Sequence, residues 1–451
     1  MRCLVLIGDR APHPSLAKRL PGFVFAQDFE PGDWSCVFRW GHVQGRDDGL
    51  WVVNAREAIL NATGPDGPAI LRLNNIPTAP GIEPRWRVHT FDLRTLAVLQ
   101  WSGRRLRPTF TGGARLLARL RHLGRRACYA LGLHFGAVDI GVTSSGQLAV
   151  VRVVPSPALD ARLARRWAHA METYVAAVAD ASAAAAGQSA GREVVLGADP
   201  EFILRSRVSG RTVSASRFFT RFGTVGLDRA CFMRNGVLVY PLAEVRPDPS
   251  PDPLELVENL RRAIARAASI VRGYRINFEA GGTSLRRFTI GGHVHFSNIR
   301  LSTDLLQALD NYLALPVLFL ENPKSSRLRR PRYGFLGDWR SQPHGGFEYR
   351  TPGSWLISPQ YARAVLCLAK VVATDYPLLR RNVFLSLPNQ RAFYLADKPA
   401  LRPCFLQVWR DLERSPTFQE FRQHIDLIRQ MVAEERRWNE RVDLKRRWLA
   451  G

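Results

Sequence analysis

Four short segments in the second half of the sequence place ionisable residues two positions apart within stretches rich in β-forming residues. Side chains two apart on a strand point to the same face, so each pair would present two functional groups to one side of a sheet. Mostly apolar residues alternate with them, as expected of a strand with one buried face. The pairs are Asp199 and Glu201 in GADPEFIL, Glu244 and Arg246 in PLAEVRPDPS, His293 and His295 in GGHVHFS, and Glu348 and Arg350 in GFEYRTPGSW.

A sheet that carried all four pairs would collect four carboxylates, two imidazoles and two guanidinium groups on one face. Crowded carboxylates raise one another's pKa, and a divalent cation relieves that repulsion. Oxygen ligands suit Mg²⁺ or Mn²⁺ together with nucleotide phosphates, and arginines bind phosphate. The pattern therefore predicts metal-dependent chemistry on a phosphorylated compound. Taken singly, Asp-x-Glu and Glu-x-Arg pairs are more typical of a solvated surface or a local ion pair.

The composition changes most sharply at Asp180–Arg192, DASAAAAGQSAGR, which consists mainly of small residues. We interpret residues 181–192 as a linker between two domains, because such a composition favours a flexible connection. Residues 1–180 form the first predicted domain, and residues 193–415 form the second, which contains all four pairs. Apolar residues recur at helical spacing beyond it, which predicts a basic C-terminal helix over 416–451.

Strand-like and helical stretches alternate in both domains, which predicts an α+β fold. In the first domain we expect hairpins over 87–101 and 138–153 and a basic helix over 113–131. In the second domain we expect strands over 194–204, 288–297 and 346–350, and helices over 252–272, 303–320 and 359–374.

The charge of the sequence is strongly basic. Its 451 residues include 64 lysines and arginines against 39 acidic residues, a net charge of +25, and only five of the 64 are lysines. Arginine favours anionic partners, although a solvated basic surface gives the same count. The six cysteines show no repeated short spacing, and we find neither a signal peptide nor an apolar run long enough for a membrane span. We therefore predict a cytoplasmic protein without a membrane partner.

In this order the motifs resemble the glutamine-synthetase-like carboxylate–amine ligases, and most closely the phage-type amidoligase family, over residues 194–373. GADPEFIL looks like the first strand of that superfamily, GGHVHFS its glycine–histidine loop, and GFEYRTPGSW its late Glu-x-Arg strand. AEVRPDPS is similar to the amidoligase family's own Glu-x-Arg-Pro motif. The resemblance implies an antiparallel sheet funnel with flanking helices. There ATP would phosphorylate a carboxylate, and an amine would attack the acyl phosphate to form an amide.

The resemblance also implies roles for individual residues. The ligands of Mg²⁺ or Mn²⁺ would be Asp199, Glu201, Glu244, His293 and Glu348. Catalytic contacts to phosphate, intermediate or substrate carboxylate would come from Arg246, Arg340 and Arg350. ATP would be bound through His295, Ser297 and Arg350.

Upstream, RVHTFDLRTLAVLQW and ALGLHFGAVDIGVTSSGQLAVVRVVPSPAL resemble the back half of an ATP-grasp domain. That family has a Glu-x-Asn pair for Mg²⁺ on its last strand, where this sequence has Arg152 and Val154. A cation at that position would repel the metal ion. Asp139 is retained as a possible acidic ligand. We therefore predict that residues 1–180 form a degenerate, catalytically silent ATP-grasp-like remnant with an α+β fold.

The predicted function is an ATP- and Mg²⁺-dependent carboxylate–amine ligase acting on small-molecule or peptide substrates. The first alternative is phosphoryl transfer on the same fold, as in a guanidino kinase. The second is a non-catalytic protein that binds nucleic acid through basic helices over 113–126 and 434–447. The third is zinc hydrolysis by the two histidines, for which no third nitrogen or sulfur ligand is evident. The sequence does not indicate an oligomeric state.

Overall fold

The structure is a computed structural model that describes residues 1–8, 10–29, 34–43, 50–107, 110, 112–187, 193–282 and 288–450. The chain divides into two compact units. The first contains Met1–Ser189 and Phe384–Gln390, and the second contains Ala190–Val383 and Arg391–Gly451. Helices and sheets occur in both units, so the predicted α+β class is confirmed. Among the described residues, no helix combines the length and the apolar composition needed to cross a bilayer.

The first unit contains one parallel and one antiparallel sheet. The strands of the parallel sheet are β1 (Cys3–Ile7), β2 (Phe23–Ala26), β3 (Cys36–Trp40) and β4 (Trp51–Val53), in the order β2-β1-β3-β4. Those of the antiparallel sheet are β5 (Trp86–Phe91), β6 (Arg94–Ser102), β7 (Arg105–Arg107), β8 (Phe135–Val142) and β9 (Leu148–Val154), in the order β7-β6-β5-β8-β9. The helices are α1 (Pro14–Arg19), α2 (Arg56–Thr63), α3 (Gly67–Leu73), α4 (Ala114–Ala130) and α5 (Ala161–Ala185).

The predicted hairpins and basic helix of this unit are confirmed, but its linker begins later than expected. Helix α5 continues to Ala185, because alanine is the best helix former and nothing breaks the run before Gly187. The first part of the predicted linker is therefore helical, and residues 188–192 lie outside the described residues.

Asp139, the acidic residue retained from the ATP-grasp pattern, is fully buried between two arginines. The register of β8 and β9 places Arg152 opposite it, and the Arg152 Nε donates to the Asp139 Oδ2 at 2.6 Å. Arg87 donates to both carboxylate oxygens, at 2.7 and 2.8 Å. The carboxylate is thus neutralised by guanidinium groups of its own sheet.

The second unit contains two antiparallel sheets and a separate hairpin. The first sheet consists of β10 (Val195–Ala198), β18 (Val294–Ser297), β20 (Phe347–Tyr349) and β19 (Trp339–Ser341), in that order. The second consists of β12 (Thr212–Val213), β11 (Glu201–Ser206), β16 (Leu242–Val245) and β13 (Val225–Leu227), with β17 (Ile276–Glu279) also paired to β11. The hairpin consists of β14 (Phe232–Arg234) and β15 (Val237–Val239).

Helices follow or separate these strands along the chain. They are α6 (Pro253–Ile270), α7 (Thr303–Ala308), α8 (Leu315–Leu320), α9 (Pro323–Arg329), α10 (Pro359–Asp375), α11 (Leu387–Leu395), α12 (Lys398–Leu412), α13 (Pro416–Ala433) and α14 (Leu444–Leu449), with a π-helical segment, Leu309–Ala314, between α7 and α8. Helix α10 is mostly apolar and is buried along most of its length. The π-helical segment supplies Asp310, whose carboxylate accepts a hydrogen bond of 2.6 Å from the Tyr349 hydroxyl on β20.

The single strand predicted over 194–204 is wrong, because the chain changes sheets in its middle. Pro200 has no backbone N–H to contribute to a ladder, and the strand breaks at Asp199 and Pro200. The part before the break, β10, pairs with β18, and the part after it, β11, pairs with β16. The four sequence pairs are consequently divided between two sheets, which meet at Asp199.

The single C-terminal helix predicted over 416–451 is also wrong. Helix α13 ends at Ala433, where Glu435 adopts a left-handed conformation (φ 52°) and the Arg436 N–H bonds to the Met431 carbonyl at 2.8 Å. This is the geometry of a Schellman cap, here without the usual glycine. The chain then places Trp438 in the core and becomes helical again only at α14.

A buried ion pair fixes the loop that follows β20. Arg330 donates from Nη1 and Nη2 to the two carboxylate oxygens of Glu321, at 2.6 and 2.9 Å, and both side chains are fully buried. The same carboxylate accepts from the Gly353 N–H at 2.9 Å, and Arg329 donates to the Arg350 carbonyl at 2.7 Å. The pair therefore holds the end of the strand that carries Glu348 and Arg350.

Glu321→Gln should lower the free energy of unfolding of the second unit by about 3–5 kcal/mol, because it leaves the Arg330 charge buried without its partner. The matched control is Glu413→Gln, whose partner Arg429 is largely exposed and whose loss should cost less than about 1 kcal/mol. Urea unfolding of both variants measures the difference. Equal effects of the two substitutions would contradict a structural role for the buried pair.

The stabilisation by Glu321 should also depend on pH. Burial alone would raise the pKa of Glu321, but the adjacent Arg330 outweighs burial and lowers the pKa from 4.5 to about 2. The carboxylate therefore stabilises the folded chain above pH 4.5, and this contribution is lost as the pH falls toward 2. The stability difference between wild type and Glu321→Gln should shrink over that range in urea titrations. A difference that stays constant would show that the carboxylate charge is not responsible.

Candidate active site

Glu348 lies at the centre of the first sheet's polar face. The register places His295 of β18 on one side of it and Arg340 of β19 on the other. The side chain is fully buried, and its Oε2 accepts from the Arg340 Nε and the Gln342 Nε2, each at 2.8 Å. Its Oε1 accepts from the Arg350 Nη1, also at 2.8 Å. Alternation on β20 thus directs Glu348 to this face and Tyr349 to the core.

Asp199 joins the two histidines to Glu348. Its Oδ1 lies 3.0 Å from the His293 Nδ1 and 3.2 Å from the His295 Nε2, and the His293 Nδ1 lies 3.2 Å from the Glu348 Oε1. Asp199, His295 and Glu348 each offer a ligand atom within 4.8 Å of the others, and we call these residues the first triad. The break at Pro200 is what allows Asp199 to lie beside residues of β18 and β20.

A second group of carboxylates lies on the second sheet. Glu201 of β11 is directly opposite Glu244 of β16, and Gly226 of β13 is opposite Glu244 on its other side. Asp228, two residues past that glycine, completes a set of three carboxylates whose oxygens lie within 4.8 Å of one another. We call Glu201, Asp228 and Glu244 the second triad. Gly291 orients Glu201, because its N–H bonds to the Glu201 Oε2 at 2.7 Å.

Burial and crowding shift the pKa values of these groups. Burial raises the pKa of Glu201 to about 7, although the nearby His293 acts to lower that pKa. Burial and then the charge of Asp199 raise the pKa of Glu244, although Arg246 opposes both. Burial would raise the pKa of Asp199 as well, but His293 and His295 outweigh it and hold that pKa well below its usual range. The carboxylates therefore differ in basicity within one site.

Both triads have the donor set that a divalent cation requires. Carboxylate oxygens at this spacing repel unless a cation or a proton lies between them. The buried Nε2 of His295 makes no hydrogen bond within the described part of the chain, although it lies close to Asp199. A buried ring nitrogen whose close partner is a carboxylate oxygen is suited to coordinate a metal together with that oxygen. The residues present therefore fit one cation in each triad.

The predicted arginines contact these carboxylates. Arg246 pairs with Glu244, and its Nη1 also donates to the Arg221 and Gly223 carbonyls, each at 3.2 Å. Arg340 and Arg350 share Glu348, and the Arg340 side chain is 59 % exposed. Each of the three arginines thus forms an ion pair with a carboxylate of one of the triads.

A cavity of about 470 Å³ opens onto the second triad. Its lining includes the acidic residues Glu201, Asp228 and Asp338 as well as His293, Arg329 and Arg350. Its volume is within the range of sites for small molecules and cofactors, ~300–1,000 Å³. Acidic ligands for a cation and guanidinium groups for an anion thus face one space.

The structure brings together every side chain of the four predicted pairs. His295, expected to bind ATP, belongs to the first triad, whereas His293, expected as a metal ligand, bridges Asp199 and Glu348. The glycines of the glycine–histidine loop, Gly291 and Gly292, allow close packing, because an added Cβ would meet the His293 ring or the Gly353 carbonyl. Ser297 lies 3.5 Å from His344 through Oγ and Nδ1, away from the contacts of both triads.

Asp228 was not predicted from the sequence, because the motifs were identified by ionisable residues two positions apart on a strand. Asp228 follows a short strand and has no such residue two positions before it. The only signal in the sequence is Gly226 two residues earlier. That glycine leaves space for Arg246, since an added Cβ would meet its Nη1 at 2.2 Å.

Solved structures that are similar to part of this chain include several ligases. A RimK domain ATP-grasp protein from Sphaerobacter thermophilus is 14% identical, with 37% of this chain and 95% of that chain covered and a TM-score of 0.29. In the complex between the prokaryotic ubiquitin-like protein Pup and its ligase PafA, the matched chain is 12% identical, with 54% of this chain and 63% of that chain covered and a TM-score of 0.36. A bifunctional glutathione synthetase from Pasteurella multocida is 12% identical, with 57% of this chain and 51% of that chain covered and a TM-score of 0.31. Among curated proteins, no match to the sequence is found.

The family comparison concerns the part of the chain that contains both triads. The model of the family described as phage phiEco32-like COOH.NH2 ligase-type 2 matches residues 196–449. This range begins at the strand before Asp199 and extends beyond the Glu-x-Arg strand, so it includes all the motifs on which the predicted amidoligase resemblance depends. That prediction is confirmed: the chain belongs to the phage phiEco32-like COOH·NH2 ligase family, whose members are carboxylate–amine ligases.

Proposed function

We propose that the second unit joins a carboxylate to an amine in a reaction that consumes ATP and requires Mg²⁺ or Mn²⁺. The observation that carries this proposal is the convergence of the two triads and their arginines at the place where two sheets meet. Family membership supports the ligase class, and the site supports the requirement for a cation and a phosphate donor. The two substrates would be small molecules or peptides.

The two triads would hold the cations, and the arginines would bind the transferred phosphate. Asp199, His295 and Glu348 offer two carboxylates and an imidazole, and the second triad offers three carboxylates. A bound divalent cation would neutralise phosphate charge and so make the terminal phosphorus open to attack. Arg350, half-buried beside Glu348 and lining the cavity, would bind the same phosphate or the substrate carboxylate.

The proposed chemistry proceeds in two steps. A substrate carboxylate oxygen attacks the γ-phosphorus, the bond to ADP breaks, and an acyl phosphate forms. The amine nitrogen then attacks the acyl carbon, phosphate leaves, and the nitrogen loses a proton to give the amide. Arg246 and Arg340 would stabilise the charge that moves to phosphate oxygens in both steps. Apolar side chains of the cavity, among them Phe232 and Phe288, would limit hydrolysis of the acyl phosphate by water.

We further propose that the first unit does not catalyse a reaction of its own. Asp139 is the acidic residue that its resemblance to ATP-grasp proteins would assign to Mg²⁺. Both oxygens of that carboxylate are bonded to arginines. A cation would have to displace Arg87 and Arg152 to bind there, which supports a role other than catalysis.

Glu348→Gln should lower turnover at least ~100-fold, because it removes a charged ligand while it keeps the shape of the side chain. Turnover is measured as ADP and inorganic phosphate released from ATP and Mg²⁺ with pooled amino acids and short peptides. The control is Glu258→Gln on the exposed face of α6, 3.8 Å from Arg363, which should leave turnover unchanged. Normal turnover of Glu348→Gln, with a wild-type melting temperature, would disprove the site assignment.

The product of the same assay separates the alternatives. A ligase gives a stable amide together with ADP, and a guanidino kinase gives an acid-labile phosphorylated guanidine without free phosphate. A nucleic-acid-binding protein releases neither ADP nor phosphate, and its affinity for an oligonucleotide falls steeply with salt.

The two triads predict two bound cations per chain. Electron paramagnetic resonance of free Mn²⁺ should show two ions bound by the wild type, and one bound by either Asp199→Asn or Glu244→Gln, because each substitution weakens one triad. Glu258→Gln should still bind two. If both triad variants keep two ions, the triads are not the metal sites.

A further inference from the structure

A second and larger cavity of the same unit is strongly basic. Its volume is about 1010 Å³, and none of its lining residues lines the cavity beside the second triad. Five cationic side chains surround it, against two carboxylates, Glu279 and Glu440. The cations are Arg205, Lys324, Arg327, Arg437 and Arg441.

Four of these cations have no carboxylate partner among the described residues. Arg205 pairs with Glu279 at 2.7 Å, whereas Lys324, Arg327, Arg437 and Arg441 are exposed and make no ion pair there. The other carboxylate, Glu440, is engaged elsewhere, because it accepts from the Gly282 N–H at 3.0 Å and the Ser325 hydroxyl at 2.7 Å. Like charges that converge on one concave space are relieved by an anion of several charges.

The form of the cavity favours a peptide over a nucleic acid. Its volume is at the upper end of the range for small ligands, which suits a chain of several residues. Leu328 is 65 % exposed at its edge and adds an apolar contact. The one aromatic residue in the lining, Trp438, is 2 % exposed, so it offers no face on which a base could stack. Carboxylates on a peptide therefore match this lining best.

Two elements connect this cavity to the candidate active site. Glu201, Ile203 and Arg205 alternate along β11 and so point to one face of the strand, with Glu201 in the second triad and Arg205 in the basic cavity. At ~3.4 Å per residue, the two are ~14 Å apart along the strand. On α9, Arg329 lines the catalytic cavity and Arg327 lines the basic one. The two cavities thus share one strand and one helix, with the buried Ile203 between them on β11.

We propose that the basic cavity binds an acidic segment of a peptide substrate, and that another carboxylate of the same peptide enters the active site. This inference rests on the proposed ligase function for its second half. The first half, binding of an acidic peptide by the cationic lining, is independent of turnover. It also gives the basic residues of 434–447 a role, since Arg437 and Arg441 line the cavity instead of forming the predicted nucleic-acid-binding helix.

The test is fluorescence anisotropy of a fluorescein-labelled hexaglutamate peptide with the full chain at low salt, without ATP or metal. We expect the double variant Arg327→Glu/Arg441→Glu to bind at least ~10-fold more weakly than wild type, because it places like charges against the peptide. The matched control is Arg410→Glu/Arg414→Glu on exposed positions at the end of α12, which should change affinity less than ~2-fold. Thermal melting verifies that both variants fold.

Several outcomes would overturn the proposal. They are no binding of hexaglutamate by the wild type, equal weakening by the two double variants, equal binding of hexaglutamine, or tighter binding of a single-stranded oligonucleotide. The Glu348→Gln variant separates this inference from the proposed function, because it should bind hexaglutamate as the wild type does. Peptide binding without any turnover would support the cavity and contradict the ligase. Turnover with unchanged peptide binding in Arg327→Glu/Arg441→Glu would contradict the cavity alone.

Discussion

Negative charge gathered away from water constrains the whole second unit. Five carboxylates from four separate parts of the chain belong to the two triads, and three of them are almost fully buried. Each buried charge costs several kcal/mol unless a partner compensates it. Histidines compensate Asp199, two arginines and a glutamine compensate Glu348, and an arginine compensates Glu244. Each of these carboxylates therefore has its compensating partner within the second unit.

This compensation explains why the arginines alternate with the acidic residues. A Glu-x-Arg pair directs both side chains to one face, so each arginine lies beside the carboxylate that it neutralises. Arg340, from the neighbouring strand β19, contacts the same carboxylate as Arg350. In the proposed reaction a cation would take the place of these contacts, and the partly exposed Arg246 and Arg340 would then bind phosphate.

Much of the site could be predicted because its signals are local. Spacing of two within β-forming stretches identified the residues of four motifs, and the resemblance identified the family. Asp228 could not be found in this way, because its proximity to Glu201 and Glu244 arises from the pairing of β13 with β16. The end of α13 was missed because a glutamate occupies the left-handed position where glycine is usual. The break in the first predicted strand was signalled by Pro200, but periodicity alone favoured a continuous strand.

The first unit is discontinuous in sequence, since residues 384–390 complete it. The Asn61 side chain donates to the Leu385 carbonyl at 2.7 Å, and the buried Gln390 bonds to Asn74 at 2.7 Å and to the Ala130 carbonyl at 3.1 Å. Domains generally fold as units while the chain is being synthesised. Here residues 1–189 lack their last packing partners until residues 384–390 have been translated, so completion of the first unit is tied to synthesis of most of the second.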